Sequence, residues 1–194
     1  VLTVLNGTTY TNSETNFITV NPLPTLTNAT LSSPACDGSS ANILLSGLIP
    51  NTTFTVNYSI NGVSQTPVAG VIANSLGDAN FFTSVITSVN NGQTLRITGI
   101  TITSWANSCT QSFSRDVNLS VIPSGSWVGV TSSDWNTASN WCGGVPVFST
   151  NVIIPATAPF QPIVGASGGL CRSITINSGA SLTISGSNTL NVNG

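Results

Sequence analysis

Short runs rich in Val, Ile, Thr and Phe alternate with clusters of Asn, Gly, Ser and Pro along the whole chain. No stretch holds an apolar 3.6-residue period beyond about two turns, so the pattern predicts an all-β protein. Three blocks separate. Residues 1–24 carry two strand-like runs, 1–4 and 17–20, joined through Asn6 and Gly7, and Pro22 and Pro24 then stop strand pairing. A lone hairpin does not stabilise itself in water, so this block reads as the terminal strands of a preceding immunoglobulin-like module followed by a stiff linker.

Residues 25–123 hold strand-like runs at 41–45, 53–60, 81–86, 94–103 and 112–121, with turn signals at Asn61-Gly62 and Asn90-Asn91-Gly92. Asn-Gly suits a two-residue hairpin because both residues tolerate positive φ. About seven short strands in roughly 100 residues fit an immunoglobulin-like β-sandwich. From Ser124 the texture changes: Trp127, Trp135 and Trp141 cluster, and then Ile174-Thr175-Ile176, Leu182-Thr183-Ile184 and Leu190-Asn191-Val192 recur at a spacing of eight. Stacked one per turn, these triplets would bury their apolar pairs in a continuous ladder, a tryptophan-capped β-solenoid resembling a parallel β-helix. An antiparallel meander gives the same pattern. Runs at 152–154 and 162–164 fit earlier turns of a stack. The repeat is still running at Gly194, and Val1 follows no signal peptide, so the sequence reads as a mature piece of a longer chain.

Charge then narrows the chemistry. The chain has no His, Lys or Met; its eight formal charges are Arg96, Arg115 and Arg172 against Glu14, Asp37, Asp78, Asp116 and Asp134. The usual general base near neutral pH and the usual Schiff-base amine are both missing, which points away from an enzyme. Three scattered arginines form no stripe able to neutralise successive phosphates, so nucleic acid is not expected as a partner. The apolar runs fall far short of the roughly 18 residues of a membrane-spanning helix.

Candidate sites follow from what remains. Gly165-Ala166-Ser167-Gly168-Gly169 fits the G-x-S-x-G nucleophile motif, but no histidine exists to accept the serine proton, and the run reads as a loop. The five carboxylates are too dispersed for glycoside hydrolysis. No metal cofactor is expected: Cys36, Cys109, Cys142 and Cys171 lack zinc-ligand spacing, and the weak calcium candidates are Asp37, Asp78 and Asp116. The four cysteines allow three pairings; the block boundaries favour Cys36 with Cys109 and Cys142 with Cys171, implying an oxidising compartment. Trp105, Trp127, Trp135 and Trp141 are candidates for contact with a glycan or protein partner, although the last three also suit a plug over the first apolar layer of a solenoid. Asp134, three residues after Thr131, resembles part of a capping box, and Arg172 should point outward or pair with Asp134.

A family resemblance rests on Trp127-Val128-Gly129, on Ser133 through Trp141 reading SDWNTASNW, on Gly144-Val145-Pro146 and on Asn151 through Pro155 reading NVIIP. These resemble the opening of β-solenoid segments in very large proteins exported by the type IX secretion system of gliding bacteria and their relatives. Phe17 through Pro24, reading FITVNPLP, resembles the terminal strand of tandem immunoglobulin-like repeats in such proteins. The resemblance implies a stalk segment of a secreted, extracellular or outer-cell-surface adhesin, as in gliding motility. Its partners would be neighbouring modules of the same chain, surface polysaccharide or other cell-surface proteins, and the secretion machinery during export. Two other roles fit the same modules: a carbohydrate-binding accessory to a secreted polysaccharide-degrading enzyme, and the non-catalytic start of a parallel β-helix enzyme.

Overall fold

The computed structural model of the chain describes residues 2–3, 9–10 and 21–194. Leu2–Thr3 (β1) pairs antiparallel with Thr9–Tyr10 (β2), so the first strand finds its partner closer in sequence than the 17–20 run, which lies outside the described residues.

Ten strands follow before residue 123: Asn28–Leu31 (β3), Ala35–Cys36 (β4), Ser39–Ser46 (β5), Thr53–Ile60 (β6), Val63–Ser64 (β7), Val68–Ile72 (β8), Ala79–Ile86 (β9), Thr94–Ile102 (β10), Cys109–Asn118 (β11) and Val121–Ile122 (β12). The order β3-β5-β9 forms a three-stranded antiparallel sheet, and β11-β10-β6-β7, with β8 also on β6, forms a five-stranded one. Of the five runs read from the sequence, 41–45, 53–60 and 81–86 lie within β5, β6 and β9, whereas 94–103 runs one residue past β10 and 112–121 spans the end of β11 and the start of β12. Alternation explains their faces: Phe54, Val56 and Tyr58 on β6 and Ala41, Ile43 and Leu45 on β5 point to one buried cluster drawn from both sheets. Tyr58 and Phe81 meet in it, ring centroids 5.5 Å apart.

Two irregularities keep that alternation in phase. On β10 the register shifts between Ile97 and Gly99 against both neighbours, so Leu95 and Ile97 before the shift and Ile100 and Ile102 after it all face inward. A similar shift lies opposite Ser40 and Asn42, and beside it the buried Thr83 hydroxyl accepts the Ala41 amide at 2.9 Å. At the β6–β7 turn, Asn61 and Gly62 have φ of 49° and 80°, the left-handed pair that a two-residue hairpin requires.

The remaining strands are Asn151–Ile154 (β13), Ile163–Val164 (β14), Gly169–Cys171 (β15), Ser173–Ile176 (β16), Thr183–Ile184 (β17) and Leu190–Val192 (β18). Here the eight-residue repeat takes a different meaning from the expected one. The three triplets do not stack on each other: β16 pairs with β13, β17 with β14 and β18 with β15, all parallel, at offsets of 22, 20 and 21 residues. Eight residues therefore separate successive triplets along the chain, and about twenty separate each strand from its parallel partner. Isolated parallel bridges extend two columns backward, giving Ser126–Ile153–Thr175 and Asp134–Ile163–Thr183. The inner positions, with the three tryptophans, form a second apolar cluster that shares no residue with the first. The parallel pairing also excludes the antiparallel meander for these strands.

Burial thins from one layer to the next. Ile154 is fully buried, whereas Ile176, its register partner, is 47% exposed. Ile154→Ala should therefore lower the stability of this cluster by about 2–5 kcal/mol, and Ile176→Ala by no more than about 1 kcal/mol. Denaturant titrations followed by tryptophan fluorescence measure both, and equal costs would contradict this layering.

Candidate functional site

Two of the four cysteines and two of the four tryptophans lie beside the segment that links the two apolar clusters. The segment from Val121 to Ser126 links them, and β12 lies parallel to β4, with Ile122 opposite Cys36. Beyond it, the Gly125 amide donates to the Cys142 carbonyl at 2.7 Å and the Cys142 amide to the Ser126 carbonyl at 2.9 Å. This brings Cys36 and Cys142 to a Cα separation of 5.2 Å, and they form a disulfide across 106 residues. On the chain-entropy model a loop of that size stabilises by about 4–5 kcal/mol.

The expected pairings are thus corrected. Cys109 pairs with Ile102 at one end of the β10–β11 hairpin, while Asn118 and β12 lie at the other. At about 3.3 Å per residue, the length of β11 sets Cys109 on the order of 30 Å from Cys36, far beyond the roughly 7 Å that a disulfide spans. Cys142 meets Cys36, and Cys171 is left free and buried among the tryptophans, where desolvation pushes its thiol pKa up. Cys109 is free and half-buried.

Trp127, Trp135 and Trp141 are buried, so none presents a ring face on which a sugar could stack. Trp141 stands edge-on between the other two, at 4.8 Å and 80° from Trp127 and 4.7 Å and 71° from Trp135. Each such pair contributes about 0.5–1.5 kcal/mol beyond area burial. The Trp127 indole N–H donates to the Phe160 carbonyl at 2.6 Å and that of Trp141 to the Trp135 carbonyl at 2.7 Å, whereas the buried Trp135 N–H has no partner. Gly169 lies against Trp135: a Cβ there would stand 3.1 Å from the indole and 2.9 Å from Leu190. The G-x-S-x-G run is accordingly a turn between β14 and β15, closed by the Gly168 amide on the Gly165 carbonyl, rather than a strand-to-helix elbow. Trp105 sits apart, half-buried in the β10–β11 connection.

One residue central to this region went unread in the sequence. Asn140 is fully buried; its Oδ1 accepts the amides of Thr131 and Ser132, and its Nδ2 donates to Ser132 Oγ and the Asp134 carbonyl, all within 3.1 Å. It ties together the loop carrying Trp135 and Trp141. Its only signal was a polar residue immediately before a buried tryptophan. The Thr131 capping box is replaced by a local turn at Asp134, whose carboxylate accepts the Asn136 amide and the Thr137 hydroxyl, each at 3.1 Å.

The charged residues do not assemble. Asp37 accepts the Ser88 amide at 2.7 Å, Asp78 lies in the turn held by the Asn74 side chain, and Asp116 is paired with Arg96 at 2.6 Å. The weak calcium candidates therefore occupy three separate places, and no group of three acidic, His or Cys residues gathers among those described. Arg96 and Asp116 are register partners on β10 and β11; the guanidinium holds the carboxyl below its usual range, and the carboxylate raises that of the arginine. Both side chains are half exposed, so the pair adds little stability. Arg172 is exposed and makes no ion pair with Asp134 among the described residues.

Between the clusters lies a cleft of about 840 Å³, walled on one side by Pro34, Val121 and Pro123 and on the other by Val130, Ile153 and Pro159, with Cys36 at its edge. None of its lining residues carries a charge. No helix among the described residues is long and apolar enough to cross a membrane.

A family model described only as a domain of unknown function, DUF8693, matches residues 126–194, the portion containing the tryptophans and the parallel strands. No curated protein matches the chain.

Two measurements test this geometry. Alkylation of the unreduced protein should modify Cys109 readily and Cys171 only on unfolding, while a non-reducing peptide map links Cys36 to Cys142; any other link overturns the pairing. Asn140→Ala leaves two backbone amides without acceptors and should destabilise the tryptophan cluster by about 3 kcal/mol, read from the fluorescence-detected unfolding midpoint.

Proposed function

We propose that the chain is a non-enzymatic stalk segment of a large, secreted cell-surface adhesin: an immunoglobulin-like sandwich followed by the capped first turns of a β-solenoid. The observation that carries this reading is the pair of β-rich bodies with separate apolar cores, cross-linked by a disulfide at their junction. Its role is mechanical, holding a binding region away from the cell. The parallel strands with offsets of 20–22 residues support the solenoid half. Two sheets sharing one core, joined by tight turns, support the sandwich half. A disulfide supports an oxidising, extracellular setting. The residues that carry the resemblance to exported gliding-motility adhesins include the three buried tryptophans, which act as a plug over the first layer. Burial of those rings weighs against the carbohydrate-binding alternative.

Swapping this segment, within its parent surface protein, for an unrelated rigid β-spacer of equal length should leave cell attachment unchanged. Attachment that returns only with the native sequence would overturn the spacer role. So would release of reducing sugar ends from polysaccharide by the purified segment.

A further inference from the structure

We propose that the Cys36–Cys142 disulfide is a reducible clamp that sets how far the two bodies can bend against each other. Residues 25–122 and residues 126–194 have separate apolar cores, and no strand of one pairs with a strand of the other. Among the described residues, no hydrogen bond or ion pair crosses directly from the first set to the second. What joins them is the disulfide, the single connector through Pro123, Ser124 and Gly125, and the walls of an open cleft.

The connector is anchored on both sides. Val121 and Ile122 are held by β4, and the Val121 amide donates to Asn91 Oδ1 at 2.9 Å. Gly125 is buried, has φ of 81°, and packs so closely on Asn151 that a Cβ would not fit. Pro123 and Ser124 between these anchors are exposed, with the Pro123 carbonyl accepting the Ser126 amide at 3.2 Å, and the clamp assigns the bending to this short stretch. With the disulfide intact, two covalent paths leave and enter the same pair of anchors and the angle is fixed. With it broken, one path remains and the cleft can open or close. The inference concerns the junction alone and holds whether or not the chain serves as a stalk.

The chemistry is thiol–disulfide exchange with a dithiol reductant. A reductant thiolate attacks Cys36 Sγ, on the residue that is half-buried and lines the cleft, and the sulfur–sulfur bond breaks with Cys142 leaving as a thiolate. The second reductant thiol then displaces Cys36. Two electrons and two protons pass to the protein, giving two thiols, and the reductant ends as a disulfide. Fully buried Cys142 is not the sulfur attacked.

The test places a donor and an acceptor dye at Leu76 and Ser187, both exposed, through non-canonical amino acids so that no cysteine is added. Single-molecule energy transfer should show one narrow distance distribution in the oxidised protein and a distribution at least about twofold broader after dithiothreitol, restored by reoxidation. Cys36→Ser should match the reduced protein. Near-ultraviolet dichroism of the tryptophans should be the same in all three forms. An unchanged distribution width on reduction overturns the clamp, and so does loss of the tryptophan signal, which would make the disulfide part of a core instead of a tie between two.

Discussion

One covalent bond between two otherwise independent cores governs the arrangement of this molecule. Each core is closed by its own physics: alternation across two antiparallel sheets in one, and stacked parallel strands over a tryptophan cluster in the other. The two clusters share no residue. Burial is non-directional, so the specific constraint on their relative placement is the Cys36–Cys142 bond and the few residues beside it. The short β4–β12 pair makes this work by presenting Cys36 next to the connector, so that the cross-link and the peptide chain act at one place.

Polar satisfaction plays a comparable part inside the second core. Three indoles packed edge to face leave loops with buried amides, and a protein with so few charges has only neutral groups to meet them. Asn140 does so with both ends of its amide, which is the economical choice: one side chain offers acceptor and donor capacity together, without the desolvation cost of an ion.

Much of the fold was legible because it depends on local pattern. The apolar runs located the five longest strands of the first core, and Asn61-Gly62 located its tightest turn, while the short strands β3, β4, β7 and β8 carried no such run. What failed depends on which segments meet. The eight-residue repeat was visible, but a repeat states that units are equivalent and leaves open whether equivalent units stack or sit side by side; the partners of β16, β17 and β18 lie in β13, β14 and β15, whose spacing is irregular and hidden. Cysteine pairing failed for the same reason, since it assumed that bridges respect the boundaries between blocks. The Arg96–Asp116 pair needed a register that charge alone does not supply.

The unequal offsets of 22, 20 and 21 residues have a consequence for how such a chain can vary. Strand pairing fixes the spacing between parallel partners, while the connecting corners absorb whatever length is left over. Insertions and deletions of a residue or two should therefore accumulate at corners such as 155–162 and 165–168 without moving the layers above or below. A genetic record of the segment would then show drifting lengths between faces and constant hydrophobic phase within them.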